Sequence, residues 1–372
     1  MVVQFWAVDP SRIRRGVLTP LAAKAVLRET GVGTWVVTVD ETAQWSPPVD
    51  RGWRVICVED GQTLFSGPVT QIKTSEQGMT RDVELTGVTD TVVLDDRIVL
   101  PTPTSSPESQ GTSAYWSRKG PAESLIVDLI NSQAGPQAWT PWRTPGLVSV
   151  SSQGRGATTS VNARFSILLD EIKALATVGG LVVDVVQNGA NLVPTVRVPV
   201  DRSRQVRFMP QSGLQDYELT EAAPTTTAVL VGGQGEGTAR TLKLGTQAST
   251  WGRTVVRFQD RRDTDDAAEL AKALTETLAE GAESAAVTVS VTETEDKKYG
   301  THWALGDTLT VALPGGGEIV DGARAVEITW TPHGRDLEVT VGPPGTEPAK
   351  TPAQVQAIRK LQARARGLET RR

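Results

Sequence analysis

The residues able to do chemistry are few. Only His302 and His333 supply imidazoles, and Cys57 is the single thiol. That leaves little for a histidine-based triad, excludes a cysteine-based zinc site and rules out an internal disulfide framework. Gly232 to Gly237 (GGQGEG) follows a β-like AVLV run. It lacks the G-x-G-x-x-G spacing, since Thr238 stands at the sixth position from Gly233, and no Gly-Lys-Ser/Thr occurs. It reads as a mobile loop. Asp260, Asp263, Asp265 and Asp266 cluster in DRRDTDD, but Arg261 and Arg262 interrupt them and no glycine bends the chain as a calcium loop requires. Negative charge at a helix N-terminus accounts for Asp265 and Asp266. His302, beside Trp303 in YGTHWALGD, reads as a packing or surface residue. With 43 carboxylates a paired-acid glycosidase is chemically available, yet nothing singles out a pair. No G-x-S-x-G elbow is present. The site reading is therefore no catalytic, cofactor-binding or metal-binding residue, and no cofactor.

Bulk properties agree with a binding or structural role. The chain has 372 residues, room for two or three domains, and a net charge of −5 with both signs interspersed. No basic stripe suggests nucleic-acid recognition. No apolar run nears the roughly 20 residues of a membrane span. The N-terminus has neither a basic leader nor a signal-length apolar core, so synthesis and folding in a cytoplasm are expected. Gly (35) and Pro (22) are plentiful, as in turn-rich β domains.

The elements follow from periodicity. Val32 to Val39, Trp53 to Val58, Val69 to Ile72 and Arg81 to Val88 alternate and carry β-branched residues, with Asp60-Gly61 and Gln77-Gly78 as turns. Residues 1–100 are expected to form a first antiparallel β-barrel, and the Pro/Ser/Thr-rich stretch 101–119 a linker or long loop. Two helices are predicted, about 121–134 with Pro121 in the first turn, and about 162–178 with Phe165, Leu168, Leu169, Ile172, Leu175 and Ala176 as its apolar stripe. A hairpin over 181–198 turns at Asn188-Gly189, so 101–200 reads as a small α+β insert. Residues 201–345 read as a second β-domain: strands at 228–231, 254–258, 286–292, 308–313, 324–331 and 337–341, a flexible 232–245, and a helix about 266–280. Asp266 and Glu269 form its capping box, and Ala267, Leu270, Leu274 and Leu278 its buried face. Residues 346–372 are a Pro-containing linker and a basic helix in which Ile358, Leu361, Ala365 and Leu368 repeat at 3-4-3 spacing.

An internal repeat ties these together. With Gly52 placed on Gly306, Gly67 falls within one residue of Gly322, Gly78 on Gly334 and Gly87 on Gly342. Val55/Leu309, Leu64/Ile319, Phe65/Val320 and Leu85/Val339 also correspond. Glycine recurring where strands turn implies positive φ there and a shared strand–turn–strand path. Any two β-meanders share some of this, and duplication of a barrel is the reading adopted. The fold class expected is mainly β: two tube-like antiparallel barrels related by duplication, an α+β insert and a C-terminal helix. A duplicated barrel lets three chains imitate a six-fold ring.

The segments VGGQGEGTAR (231–240), DRRDTDD (260–266) and YGTHWALGD (299–307) resemble the Gp37-like minor tail proteins of siphophages infecting actinobacteria. GWRVICVEDGQTLFSGPV (52–69), SQGRGATTSVNARF (152–165) and GGLVVDVVQNG (179–189) extend the resemblance over residues 1 to about 345. It implies a homotrimeric tail-tip hub beneath the distal tail protein, in contact with the tape measure protein and tail fibre or tip proteins. Phage DNA would pass through it without sequence-specific binding. It names no catalytic residue; the competing class is a tail-tip cell-wall hydrolase. Ile358, Leu361, Ala365 and Leu368 are the candidate partner-binding residues, and lumen-facing positions are expected to be acidic or neutral overall.

Overall fold

The computed structural model describes residues 2–344 apart from 41–46, 48, 78–79, 112, 263, 315 and 332–333. The structure is 47% strand and 15% helix, so the mainly β expectation holds. The turn at Gly78 and the helix 352–369 lie outside the described residues. Two compact units form: one takes the chain up to Tyr217 and again from Thr288, the other is Glu218–Val287.

In the first unit the strands run β1 (Val3–Val8), β2 (Arg14–Leu18), β3 (Pro20–Arg28), β4 (Thr34–Asp40), β5 (Arg54–Glu59), β6 (Gln62–Gln77) and β7 (Thr80–Val88). Next come α1 (Val92–Asp95), β8 (Trp116–Pro121), α2 (Ala122–Leu129), β9 (Thr158–Ala163), α3 (Leu168–Gly179), β10 (Val182–Asn188), β11 (Asn191–Arg197) and β12 (Arg207–Phe208). Strand β13 (Leu214–Ala222) leads into the second unit, which holds β14 (Ala228–Gly232), β15 (Leu242–Thr246), β16 (Val256–Asp260) and α4 (Ala267–Glu280). The chain returns through β17 (Ser284–Val291) to β18 (Thr308–Ala312), β19 (Glu318–Thr331) and β20 (Gly334–Gly342).

Thirteen strands share one sheet, ordered β13-β17-β20-β19-β3-β4-β7-β6-β5-β1-β2, with β18 on β19 and β12 parallel to β18. Strand β4 shows the period of two at work: Trp35, Val37 and Val39 are buried while Thr34, Val36, Thr38 and Asp40 are half-exposed. Trp35 and Phe65 stack at 6.1 Å, and Phe5 meets Trp330 edge-on at 5.2 Å, so aromatic rings from β1, β4, β6 and β19 fill one core.

The segments singled out as repeats trace comparable registers. Val55 faces Gly67 as Leu309 faces Asp321, and Val69 faces Gly87 as Ala323 faces Val341. A register shift follows each of Val69 and Ala323. The Val69 amide donates to the Trp53 carbonyl at 2.9 Å, and the Ala323 amide to the Asp307 carbonyl at 2.9 Å. Gly52 and Gly306 both have positive φ, +79° and +86°. Gly67 matches Asp321, within one residue of Gly322 as expected, whereas Gly87 matches Val341 one short of Gly342 and Phe65 matches Ile319 where Val320 was expected. These glycines do not turn the chain. A Cβ on Gly87 would run into the Trp35 ring, and one on Gly67 into the Val88 carbonyl. Close approach, and not positive φ, demands them.

The insert has its own core, in which Leu125, Ile126 and Leu129 of α2 meet Leu168, Leu169 and Ile172 of α3. Several expected boundaries move. Helix α3 starts at Leu168, because 158–163 is spent on pairing β9 with β8. Phe165 has φ +56° and is 45% exposed, so it turns the chain and is no part of the apolar stripe. The expected linker 101–119 already contains the start of β8. Helix α2 passes into a π-helical turn at Ile130–Ala134, and Pro121 caps it from outside. The hairpin turns at Gly189 and Ala190, between paired Asn188 and Asn191.

In the second unit β14 pairs antiparallel with β15 and parallel with β16, and α4 packs Leu270 onto Val229 and Val231. Strand β15 thus occupies part of the stretch expected to be flexible. Asp266 caps α4 as predicted, accepting from the Ala268 and Glu269 amides at 2.6 and 3.3 Å. Ala267 is exposed and Ala273 takes its place in the core.

Glu123, in the first turn of α2, is 2% exposed and accepts from the Arg155 amide at 2.8 Å and the Arg155 guanidinium at 3.0 and 2.6 Å. The side-chain hydrogen bond to Arg155 leads the causes that outweigh burial and hold its carboxyl down at about 2. Glu123→Gln is expected to lower stability at pH 7 by roughly 1.5–3 kcal/mol. The glutamate's advantage is fully present above its ordinary value of 4.5 and lost as pH falls toward about 2. Thermal melts of both proteins should therefore converge in acid; a gap that stays constant with pH would show that charge is not the cause.

Candidate assembly interface

The residues first considered for chemistry are spent on structure. The Lys298 amide donates to His302 Nδ1 at 3.1 Å. Trp303 is buried, donates to the Lys297 carbonyl at 3.1 Å, and packs against Tyr299 (4.9 Å) and Phe208 (6.1 Å). Asp260 carries Arg240 and Arg262, and the Arg240 guanidinium also takes the carbonyls of Gly232 and Gly233 at 2.9 and 3.0 Å. The glycine-rich turn thus folds onto its own arginine. Cys57 is buried, and burial pushes its thiol pKa up. His333 and Asp263 lie outside the described residues, as do Ile358, Leu361, Ala365 and Leu368. Among the described residues no group of three or more His, Cys, Asp or Glu could hold a metal ion, and no helix is long and apolar enough to cross a membrane.

What the fold builds instead is a seam between the two ends of the chain. Residues Ala23 to Arg28 of β3 pair antiparallel with Ala325 to Trp330 of β19. Arg324 fixes one end of that seam. Its guanidinium donates to both Glu29 oxygens at 2.9 and 2.7 Å, to Asp321 at 3.0 Å and to the Gly342 carbonyl at 2.6 Å. Arg335, its side chain only 3% exposed, bridges Glu59 at the end of β5 and Glu293 after β17 (2.6 Å), and donates to the Tyr299 carbonyl at 2.9 Å. Burial raises the Glu59 carboxyl above its ordinary range, with Arg335 pulling the other way. Nothing in the spacing of 59, 293 and 335 announces this knot, since only folding brings them together.

Two further surfaces follow from register. Cross-strand partners share a face, so Lys24, Val36, Thr86 and Gln71 lie on one side, with Thr329 and Asp336 continuing it. On that face Lys24, Arg28 and Lys73 stand among Asp40, Asp82, Glu84, Glu327, Asp336 and Glu338. Asp40 is directly opposite Asp82, and Glu327 opposite Glu338. Like charges so placed repel, and at Glu327 a 2.6 Å ion pair with Lys24 offsets this. The second surface is the pair of strands that end the sheet among the described residues, β13 and β2.

A mainly β chain with one long sheet, a seam uniting its ends and open edges has the fold of prophage tail proteins. The 43 kDa tail protein of prophage MuSo2 from Shewanella oneidensis aligns over 92% of this chain and 98% of its own, with 13% identity and TM-score 0.61. The tail protein from Neisseria meningitidis MC58 gives 12% identity and TM-score 0.59 over 92% and 97%. Prophage tail protein gp18 from Listeria monocytogenes EGD-e gives 12% and 0.54 over 97% and 98%. The chain belongs to the Siphovirus ReqiPepy6 Gp37-like family, whose profile matches residues 3–343. No curated protein sequence matches it.

Arg335→Ala is expected to cost about 2–4 kcal/mol, because two largely buried carboxylates, 11% and 12% exposed, lose their counter-charge. Arg335→Met combined with Glu59→Gln and Glu293→Gln should recover most of it. Denaturant unfolding checks both. A loss below about 1 kcal/mol for Arg335→Ala would mean that water screens the knot as it screens a surface pair.

Proposed function

We propose that the chain is a non-enzymatic structural protein of a phage tail tip. Three copies form a hub ring in which two strand repeats per chain alternate, continuing a six-fold tube and handing it to three-fold fibre or tip proteins. One observation carries this. Strands β3, β4, β5, β6 and β7 lie in the sheet in the order β3-β4-β7-β6-β5, and β13, β17, β18, β19 and β20 in the order β13-β17-β20-β19-β18. Chain order, sheet order and the bulge in the longest strand all correspond, which supports an internal duplication and two tube-like barrel walls. Outside these five strands the repeats diverge: β1 lies antiparallel on β5, whereas β12 lies parallel on β18.

The acidic sheet face supports DNA passage. Carboxylates outnumber cations on it, with Asp40 opposite Asp82 and Glu327 opposite Glu338, and a face of that balance offers phosphates little foothold and lets a polyanion slide. That face would line the lumen, with the α+β insert, once per chain, outside it. The tail proteins of similar fold support a place in the virion tail. Contacts with the distal tail protein, the tape measure protein and fibre proteins follow from that place, Ile358, Leu361, Ala365 and Leu368 forming a docking peptide for the next tip protein.

Native mass spectrometry over a concentration series is the test. The mass should move from one copy to three, because among the described residues β13 ends the sheet without a strand on its outer side. A two-fold dimer as the end state would contradict the ring. On host peptidoglycan the purified protein should produce no clearing in a zymogram; clearing would restore the hydrolase reading.

A further inference from the structure

The α+β insert carries a surface of opposite charge to the acidic sheet face. Its β8–β9 hairpin sets Trp116 against Ala163, Arg118 against Val161 and Lys119 against Ser160. Alternation buries Trp116 in the insert core and turns Ser117, Lys119, Ser160 and Asn162 outward, all exposed. Just beyond the last pair stand Tyr115, 50% exposed, and Arg164. A groove of about 540 Å³ runs beside this strand, with Thr102, Ser113, Tyr115 and Arg118 among the residues of its wall. Two arginines are held ready here. The Arg118 guanidinium lies 5.3 Å from the Trp116 ring centre and donates to the Ser117 carbonyl at 2.9 Å. The Arg164 guanidinium lies 5.0 Å from the Phe165 ring centre and donates at 3.2 Å to the carbonyl of Ala114, another groove residue. Arg155 and Arg197 of the same insert are answered by Glu123 and Asp307. Among the described residues Arg118, Lys119 and Arg164 meet no carboxylate, and no groove residue is acidic. Phe165 adds strain to this picture. Its φ of +56° is one that bulky residues avoid, and its half-exposed ring gains little burial in return. Backbone bonds on either side keep it there, from the Phe165 amide to Val99 at 2.7 Å and from the Val99 amide to Ser166 at 2.8 Å. Strain kept without a packing gain points to a ring placed to hold Arg164.

We propose that the groove and the outer hairpin face bind an anionic glycan, a chain of sugar rings bearing carboxylate or phosphate groups. The planar guanidinium fork matches both anions, and an arginine already fixed by a ring and a carbonyl loses little freedom on binding one. Arg118 and Arg164 each spend one nitrogen on a main-chain carbonyl, which leaves donors for the ligand. Lys119 adds a third positive charge on the same hairpin. Tyr115 offers an exposed ring whose negative π face suits the C–H-bearing side of a sugar. Ser117, Ser160 and Asn162 supply donors and acceptors for sugar hydroxyls. An acidic peptide would satisfy the cations but leave that hydroxyl and amide row to water, so the glycan fits better. The groove's volume lies within the range of small-molecule sites. The site is complete in one chain and stands or falls independently of the ring.

Titration of the purified full-length protein with defined probes tests it. The probes are an oligogalacturonate with a carboxylate on each ring, a phosphorylated mannan, a neutral maltooligosaccharide, polyglutamate and duplex DNA. At least one of the two charged sugars should bind more tightly than the other three probes, and which one binds separates carboxylate from phosphate recognition. Arg118→Ala combined with Arg164→Ala should weaken that binding by about tenfold or more and leave the thermal melt unchanged, since both side chains are exposed. Tyr115→Ala should weaken it as well. Phe165→Gly removes the ring beneath Arg164 together with the strain at +56°, so it should melt no lower than the parent protein while binding more weakly. Binding of neither charged sugar would overturn the proposal. So would equal binding of the neutral sugar, or binding that the arginine variant leaves intact. Tighter binding of polyglutamate or of DNA would overturn the glycan and assign the face to an acidic protein segment or to nucleic acid.

Discussion

The pairing of β3 with β19 is the contact on which the larger unit depends. It joins Ala23–Arg28 to Ala325–Trp330, near opposite ends of the chain, and turns two strand groups into one sheet. Ordering so distant a pair costs loop-closure entropy that purely local hairpins avoid. The seam offsets this with backbone hydrogen bonds, with Trp330 packed against Phe5 at 5.2 Å, and with Arg324 clamped on Glu29 and Asp321. Contacts of such sequence separation form slowly, so the two strand groups and the insert are expected to take shape before the sheet is completed.

Charge is used in two opposite ways around that sheet. Inside, Arg335 and Arg324 are each met by more than one carboxylate, and each also donates to a main-chain carbonyl. A buried guanidinium satisfied this fully fixes relative strand positions more than it adds net stability. On the polar face the logic reverses, with Asp40 against Asp82 and Glu327 against Glu338. Lys24 offsets part of that repulsion by pairing with Glu327 at 2.6 Å.

The sequence made the locally encoded parts legible. The alternation of 34–39, the amphipathic stripe of α3, the β10–β11 hairpin and the Asp266 cap are each written within a dozen residues. Scarcity of histidine and cysteine directed the reading away from catalysis, and the recurrence of Gly52 and Gly306 at matching turns marked two segments of comparable register. What escaped was non-local. Gly67 and Gly87 looked like turn residues because sequence does not show the Val88 carbonyl or the Trp35 ring lying against them. Phe165 looked like a stripe residue because a left-handed turn leaves no trace in hydrophobic spacing. The Glu59–Arg335–Glu293 knot and the β3·β19 seam had no signal at all, since their members meet only in three dimensions.

The central claim is that two repeats in each chain are equivalent around a common axis. Electron cryomicroscopy of the intact tail tip, averaged without imposed symmetry above three-fold, tests it most directly. The account predicts six strand groups about 60° apart, with β5–β7 and β18–β20 superposing under that rotation and the acidic face toward the channel. A three-fold ring in which those two segments occupy different radii, or face the channel with opposite sides of the sheet, would contradict it.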